Sequence, residues 1–493
     1  MKVKFLLLFA VFLFSIACVG ATDVNDTIAS SDVNDALSSG EDIQILEVNE
    51  SSHGITISDD GTFTSLQKKI ILASEGSTIS LDRDYSYDEG FLESGIVIDK
   101  NLTINGNGHI LDGKSKARIF MILFGLKENN KVTLNNIKFV NGHTKYYGGA
   151  ILNFADLTVN KCTFTNNYAY YCGGAINSLG YMDCKNSNFY KNTAGGDGGA
   201  IFSLSFAKSV SFYINHFPLR IIDEKLEFIN PITLNASFKF LKDRVSNCVF
   251  KNNVAKGRGG GAIYAFSNID VRLSLFAYNK AGEKGGAIFA NKDLYVTNSK
   301  FAYNKAPMYG GAIYFKCHES SGHYDKNGKW ISEIKYYNNL IQGSTFAKNS
   351  ASKGGAIYGF RTSNSDKIHC AKALKCTFTD NKASSAGRDI YGGIASGCIF
   401  NYFKLTLNTA NVKKSAKYVV LAAKLTKGKS LIVGKTIVFN FHGKIYKAKT
   451  NRHSIAKVYI NKNILSKLKI GQNVNYLAKF GKLYIKKTVK VKK

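Results

Sequence analysis

Seven carboxylates are spread through the middle of this chain: Asp156, Asp183, Asp197, Asp270, Glu283, Asp293 and Asp380. Glycoside hydrolysis needs two carboxyl groups a fixed ~5–10 Å apart. A calcium-assisted lyase needs clustered Asp ligands beside a basic residue. The seven acids share no common position across adjacent copies of the repeat described below, so stacking the repeats does not gather them. A second candidate is Cys317-His318-Glu319 with His323 and Asp325, together with His369-Cys370. That spacing matches no strong zinc pattern, and surface-loop polar residues or a Cys317–Cys370 disulfide account for it better. The sequence therefore points to no catalytic residues, no cofactor and no metal.

Four other cysteines follow a rule. Cys162, Cys248, Cys376 and Cys398 each stand two residues before a Phe, at 164, 250, 378 and 400, where other copies carry Ser187, Ser274, Ser299 and Ser344. The slot takes a small residue. Cys376 and Cys398 fall on successive copies. A rise of ~4.8 Å per copy lies within the ~4.4–6.8 Å between the Cα atoms of a disulfide, which predicts a bridge between them.

What positions these residues is repetition. Gly-Gly-Ala-Ile begins at Gly148-Gly149, Gly173-Gly174, Gly198-Gly199, Gly260-Gly261, Gly285-Gly286, Gly310-Gly311 and Gly354-Gly355, with a worn copy at Gly387-Arg388-Asp389-Ile390. The intervals are 25, 25, 62, 25, 25, 44 and 33 residues, so insertions interrupt a 25-residue unit. Between them runs Phe-x-x-Asn: Phe164/Asn167, Phe189/Asn192, Phe250/Asn253, Phe276/Asn279, Phe301/Asn304, Phe346/Asn349 and Phe378/Asn381. A unit with short β-type runs such as Leu294-Tyr295-Val296-Thr297 and no helical stripe cannot bury its apolar face alone, but stacked parallel coils can. Parallel crossovers are right-handed, so the expected fold is all-β: a right-handed parallel β-helix. Phe and Ile stack inward, the Gly pair turns a corner, and Asn ladders at a bend.

The 493 residues include 45 Gly and only 3 Pro, and carry a formal charge of +31. Residues 1–21 read as a signal peptide, with Lys2 and Lys4, an apolar run from Phe5 to Ala17, and Val19-Gly20-Ala21 as the cleavage site. Lipid attachment at Cys18 is the alternative. Residues 22–60 hold ten acids and no Lys or Arg, and read as an acidic, disordered spacer. A short helix follows, from a capping-box pattern at Thr64–Gln67 and an apolar face of Phe63, Leu66, Ile70 and Ala73, to cap the first coil. The β-helix runs over 61–402. Insertions 205–245 and 317–339 are expected to leave it as loops on one side, either able to bind or serving as packing flaps or a lateral cap. Residues 403–493 hold 23 Lys and Arg and no Asp or Glu. Their spaced alternating strands, with a hairpin turn at His442-Gly443-Lys444, fit a small β-sandwich.

Gly-Gly-Ala-Ile with Phe-x-x-Asn resembles the repeat of chlamydial polymorphic outer-membrane proteins, found also in adhesin-like surface proteins of methanogenic archaea. Asn105-Gly106-Asn107-Gly108-His109-Ile110-Leu111-Asp112-Gly113 and Arg118-Ile119-Phe120 are similar to the start of the archaeal proteins. The resemblance covers roughly 60–402. It implies a pectin-lyase-like β-helix and an adhesive role at the cell surface. The chlamydial autotransporter barrel has no counterpart here, so outer-membrane insertion is not implied. Residues 403–493, with Val433-Gly434-Lys435-Thr436-Ile437-Val438-Phe439, resemble the immunoglobulin-like modules that follow such helices.

The expected protein is an exported cell-surface adhesin. Its helix presents loops or faces to cell-wall polymer or to surface glycans of its own or neighbouring cells. Its basic module attaches to the anionic envelope. Nucleic acid is disfavoured for want of a stacking platform or groove-reading helix, and no transmembrane span is expected after signal removal. Tyr168, Tyr170, Tyr171, Tyr278, Tyr303 and Tyr309 cluster at the bend as strand chemistry or as a sugar platform. The alternatives are a secreted polysaccharide lyase or hydrolase on the same fold, and a structural envelope protein that binds nothing.

Overall fold

The computed structural model describes residues 59–123, 130–205, 219–222, 225–228, 241–324, 330–360, 372–428 and 430–493. The expected signal peptide and nearly all of the acidic spacer lie outside the described residues. From Thr78 to Asn401 the chain winds as a right-handed parallel β-helix with three faces, formed among the described residues by parallel sheets of 11, 11 and 10 strands. One coil shows the plan. Ile288–Ala290 lies on one face, Leu294–Thr297 on the next and Lys300–Ala302 on the third. Each pairs in register with its counterparts: Ile263, Ile288, Ile313 and Ile357 align, as do Phe276, Phe301 and Phe346.

In-register stacking puts identical side chains ~4.8 Å apart, which is the spacing that parallel rings favour. Phe139, Phe164, Phe189, Phe250, Phe276, Phe301, Phe346, Phe378 and Phe400 form one column, with successive centroids 4.6–5.2 Å apart and planes within 14° of parallel. Beside it the asparagines form a polar ladder. The backbone N–H and the Nδ2 of Asn279 both donate to Oδ1 of Asn304, each at 3.0 Å, and Nδ2 also donates to the carbonyl of Phe250 at 2.9 Å. The same pattern links Asn167, Asn192, Asn253, Asn304, Asn349 and Asn381, and Asn381 hands on to Asp389 of the worn copy. A buried amide that makes its bonds this fully is stabilising where an unpaired one would be costly.

The corner needs glycine at two points for two reasons. Gly285 has φ +61°, and a Cβ there would lie 2.2 Å from the carbonyl oxygen of Ile288. Gly286 has no room either, because the carbonyl oxygen of Gly311 would stand 2.2 Å from its Cβ. Arg118, buried at the first corner, donates to the carbonyls of Ser94, Tyr147 and Gly148.

The helix Phe63–Leu72 covers the first coil with Phe63, Leu66 and Ile70. Its capping box is Thr62 with Ser65, two residues earlier than the sequence pattern places it. Thr64 is engaged by the Asp88 carboxylate instead. Gln67 serves the open edge: its amide accepts from Val97 N–H at 2.7 Å and donates to Val97 O at 3.1 Å. The cap thus pairs the first strand's free edge as well as covering its apolar end.

Both insertions are shorter than expected. Leu241 N–H already bonds to Ser205 O, and Lys242–Ser246 is a coil strand. The described part of this excursion includes an antiparallel pair, Leu219–Ile222 with Lys225–Phe228. The second insertion is a hairpin of His318–Tyr324 and Trp330–Tyr336, and Asn339–Gln342 is again coil.

After Asn401 the chain enters an immunoglobulin-like sandwich. Phe403–Leu407, Tyr418–Lys427, Ser430–Leu431 and Ile455–Asn461 form one sheet. Thr436–Phe441, Lys444–Lys449, Asn473–Phe480 and Leu483–Lys490 form the other. Leu421, Leu425, Phe439, Phe441, Ile460 and Tyr476 fill the space between. His442 (φ +47°) and Gly443 (φ +88°) make the tight turn expected there. Among the described residues, no helix is long and apolar enough to cross a membrane.

The ladder generates a test. Asn304→Ala leaves the Asn279 N–H and amide without their acceptor, and should lower stability by about 3 kcal/mol or more in chemical denaturation. Tyr303→Ala, one residue away on the surface, should cost less than about 1.5 kcal/mol. Equal losses would refute the ladder's role.

Candidate functional site

The acids expected to stay apart are held in unrelated settings. Asp183 and Asp270 share one register position but are separated by Arg244 of the intervening coil. Asp270 is paired with Arg272 and Lys242. Asp293 Oδ1 accepts from Asn338 N–H at 2.8 Å. Among the described residues, no group of three or more His, Cys, Asp or Glu is placed to hold a metal ion. Cys317 is disulfide-bonded, while Asp325, His369 and its expected partner Cys370 lie outside the described residues. Glu319 accepts from Lys292 and from the Tyr337 hydroxyl, and Lys292 Nζ donates to that hydroxyl at 2.8 Å. These three side chains pin the base of the hairpin to the coil.

The predicted Cys376–Cys398 bridge is not formed. Both thiols are free, although the two residues do occupy neighbouring coils. Parallel in-register strands keep the Cα–Cβ vectors parallel at ~4.8 Å, beyond the ~3.5–4.5 Å that Cβ atoms of a disulfide require. The slot instead carries a second hydrogen-bond ladder. Ser274 N–H donates to Ser299 Oγ at 3.1 Å, and Ser299 Oγ donates to its own Thr297 O at 2.9 Å. Cys398 Sγ accepts from Cys376 N–H at 3.4 Å in the same role.

Several of the tyrosines stack on aromatic rings of the adjacent coil. Tyr278 and Tyr303 stack on each other at 4.7 Å, and Lys348 lies over Tyr303 with Nζ 2.8 Å from its hydroxyl. Tyr168 stacks on His143 at 5.1 Å. In these pairs one face of each ring meets the adjacent coil, whereas Tyr170 stands at 90° to Tyr171 and is exposed. A further aromatic column was legible but not recognised in the sequence: the residue after Gly-Gly-Ala-Ile from the third copy onward, including the worn one. Phe202, Tyr264, Phe289, Tyr314, Tyr358 and Tyr391 stack at 4.5–5.6 Å. These outward residues are buried or half-buried because the turn before the next Gly-Gly packs over them: a Cβ on Gly259 would lie 2.3 Å from Phe289.

Asp243 is a buried carboxylate of structural type. It re-enters the coil after the first insertion, accepts from Met182 N–H at 2.9 Å and from Ser205 Oγ at 2.6 Å, and is bonded by the Ser203 hydroxyl. Burial pushes its pKa up to about 6, against the hydrogen bonds that favour its charged form.

Two surfaces remain that match a ligand in chemistry. The first is the outer face of the second sandwich sheet. Register places Lys447 opposite Val438, Val438 opposite Lys479, and Lys479 opposite Tyr484. Leu477 faces Lys486, and Asn473 faces Lys490. Lys447, Lys449, Lys479, Lys486 and Lys490 all stand exposed on this face, with the edges of Tyr484 and Ile445 among them. The module has no Asp or Glu to neutralise them. The second is a cleft of about 680 Å³ between the last coils and the module, lined by Lys305, Lys382, Arg388, Tyr402, Phe403 and Leu483 among others. The Arg388 guanidinium lies 4.8 Å over the Tyr402 ring. Lys427 ties the two parts together, 3.9 Å from Asp380 of the last coils.

With this geometry in view, the comparisons add one finding. A family model, the Chlamydia polymorphic membrane protein repeat, matches residues 161–179, 186–204, 247–265, 274–291 and 343–359. The coils carry repeats similar to that type. Each matched segment spans the Phe strand or its approach, the Asn bend where one is present, and the glycine corner. No curated protein matches the chain.

The raised pKa of Asp243 yields a prediction. Its folded pKa of about 6 exceeds the unfolded value of 3.8, so its favourable contribution is complete below the unfolded value and is lost as pH rises through the folded one. Asp243→Asn should match the wild type in stability near pH 4 and exceed it by about 2 kcal/mol at pH 7, read from melting curves across that range. A difference that does not change with pH would refute the buried charge.

Proposed function

We propose that this is an exported surface protein of adhesin type, in which the β-helix is a stiff spacer and the sandwich is the attachment module for acidic polysaccharide or anionic wall polymer. The observation that carries this reading is the lysine face. Five exposed lysines share one sheet surface in a module without a single carboxylate. Strand spacing sets Lys447 and Lys479 ~10 Å apart across the sheet, and Lys486 and Lys490 ~13 Å apart along it. An extended polyanion can bridge charges at that spacing, and a partner of fixed negative charge relieves the module's self-repulsion. The junction cleft suits a terminal acidic sugar, with Arg388 for a carboxylate and Tyr402 and Phe403 for the ring. Export is supported by the amino-terminal sequence, and the surface role by the similarity of the repeats to those of a membrane-protein family.

The reading is of binding without turnover. Purified mature protein should bind a polyuronate or sulfated glycan column and elute as salt rises and the Debye length shortens. Lys479→Glu with Lys486→Glu should weaken binding at low salt by about tenfold or more while leaving the melting curve unchanged. Arg388→Ala should weaken short oligouronides more than long polymer. Equal retention of neutral and acidic glycans would overturn the proposal, and release of reducing or unsaturated ends would replace it with an enzyme.

A further inference from the structure

The phase rule that aligned Cys376 with Cys398 overlooks a closer pair, 64 positions apart in sequence and on different parts of the coil. Cys184 lies on the strand Met182–Lys185, facing the core, and is aligned with Val245 of the next described coil. Cys248 follows the turn after that strand, in the small-residue slot. Their sulfur atoms are 3.8 Å apart, and Cys248 Sγ also lies 3.6 Å from Cys184 O. Both are buried and both are free thiols. We infer that Cys184 and Cys248 form a disulfide that joins the coils on either side of the first insertion.

The contrast with Cys376 and Cys398 is geometric. Those two occupy the same slot in successive coils, each just before a paired strand, and there Cys398 Sγ takes the backbone N–H of Cys376. Cys184 comes from a strand and Cys248 from beyond the following turn, so their side chains converge from different directions onto one point. Closing the 3.8 Å between the sulfurs to the ~2.05 Å of an S–S bond requires the two side chains to rotate toward each other. Cys248 Sγ lies 3.2 Å from Ser246 O and 3.6 Å from Cys184 O, and the Ser187 side chain also hydrogen-bonds Cys184.

The chemistry balances with a small disulfide as oxidant. The thiolate of one cysteine attacks an external disulfide RSSR, releasing RS⁻ and leaving a mixed disulfide. The second thiolate displaces the second RS⁻, and the chain loses two hydrogens as RSSR becomes two RSH. In the folded coil both thiols are buried, and the hydrogen bond with Cys248 together with burial pushes the Cys184 pKa well up, so the exchange takes place while the chain is folding and still open. The presence of oxidant in the protein's own setting rests on the exported reading above; the geometry does not. Once closed, the bond brackets the excursion between Ser205 and Leu241.

The mature chain should be refolded from denaturant in a glutathione redox buffer, alkylated under denaturing conditions and mapped by mass spectrometry. The expected result is a linked pair of peptides carrying Cys184 and Cys248, distinct from the Cys317 bridge, with Cys162, Cys376 and Cys398 alkylated. The oxidised protein should melt higher than its reduced form by at least about 3 °C, and this increment should shrink in C184S/C248S. Alkylation of both residues after oxidative refolding, or a Cys162–Cys184 link in their place, would overturn the inference. To separate the pair from the compartment, protein recovered from culture is mapped as well. A link formed in the buffer but absent there supports the pair and counts against export.

Discussion

The coil is held to its shape by a hydrogen-bond requirement at one bend. Each buried asparagine must hand its N–H and its amide to the Oδ1 of the next, so Asn279, Asn304 and Asn349 can sit only at one height and one phase. That condition fixes the register of the three sheets. Once it is met, the phenylalanine rings arrive parallel at stacking distance, and the serine and cysteine slot lines up its own ladder. The polar ladder specifies and the aromatic column contributes burial. An apolar residue in place of Asn would preserve neither, because the backbone N–H of the preceding coil would lose its acceptor.

The same requirement decides where the chain can vary. An excursion can leave after one strand and return before the next without disturbing the ladders, as happens between Ser205 and Leu241 and again at the hairpin that follows Cys317. Each return is fastened by a polar cluster, the buried Asp243 with its serines in the first case and Lys292 with Tyr337 and the half-exposed Glu319 in the second. Outward positions on the coil are also constrained where rings stack along the axis, as Tyr278 and Tyr303 do.

The sandwich obeys a different rule. Its alternation sends one residue of each pair inward to the core and the other outward, and the outward set is rich in lysine. The edge strands Lys444–Lys449 and Leu483–Lys490 carry much of that charge, which also discourages edge-to-edge association. Charge with no internal counterpart is tolerable on a water-facing sheet and becomes useful when a polyanion approaches.

The sequence by itself determined the repeating part. The 25-residue period, the glycine corner, the inward Phe and Ile and the Asn bend were all legible, because a solenoid translates each position onto its own copy, so spacing in sequence equals contact in space. The lysine-rich module without acids was legible from composition. What only the tertiary structure decided were contacts between different phases: Cys184 with Cys248, Asp243 with Ser203 and Ser205, Lys292 with Glu319 and Tyr337, and Gln67 on the edge of Val97. It also removed the Cys376–Cys398 bridge and moved the capping box to Thr62. A period states which residues lie above one another, but it contains nothing about the width of the coil or the direction of a side chain across it. Those follow from how three strands and their turns close into a cross-section, and that closure exists only in the folded chain.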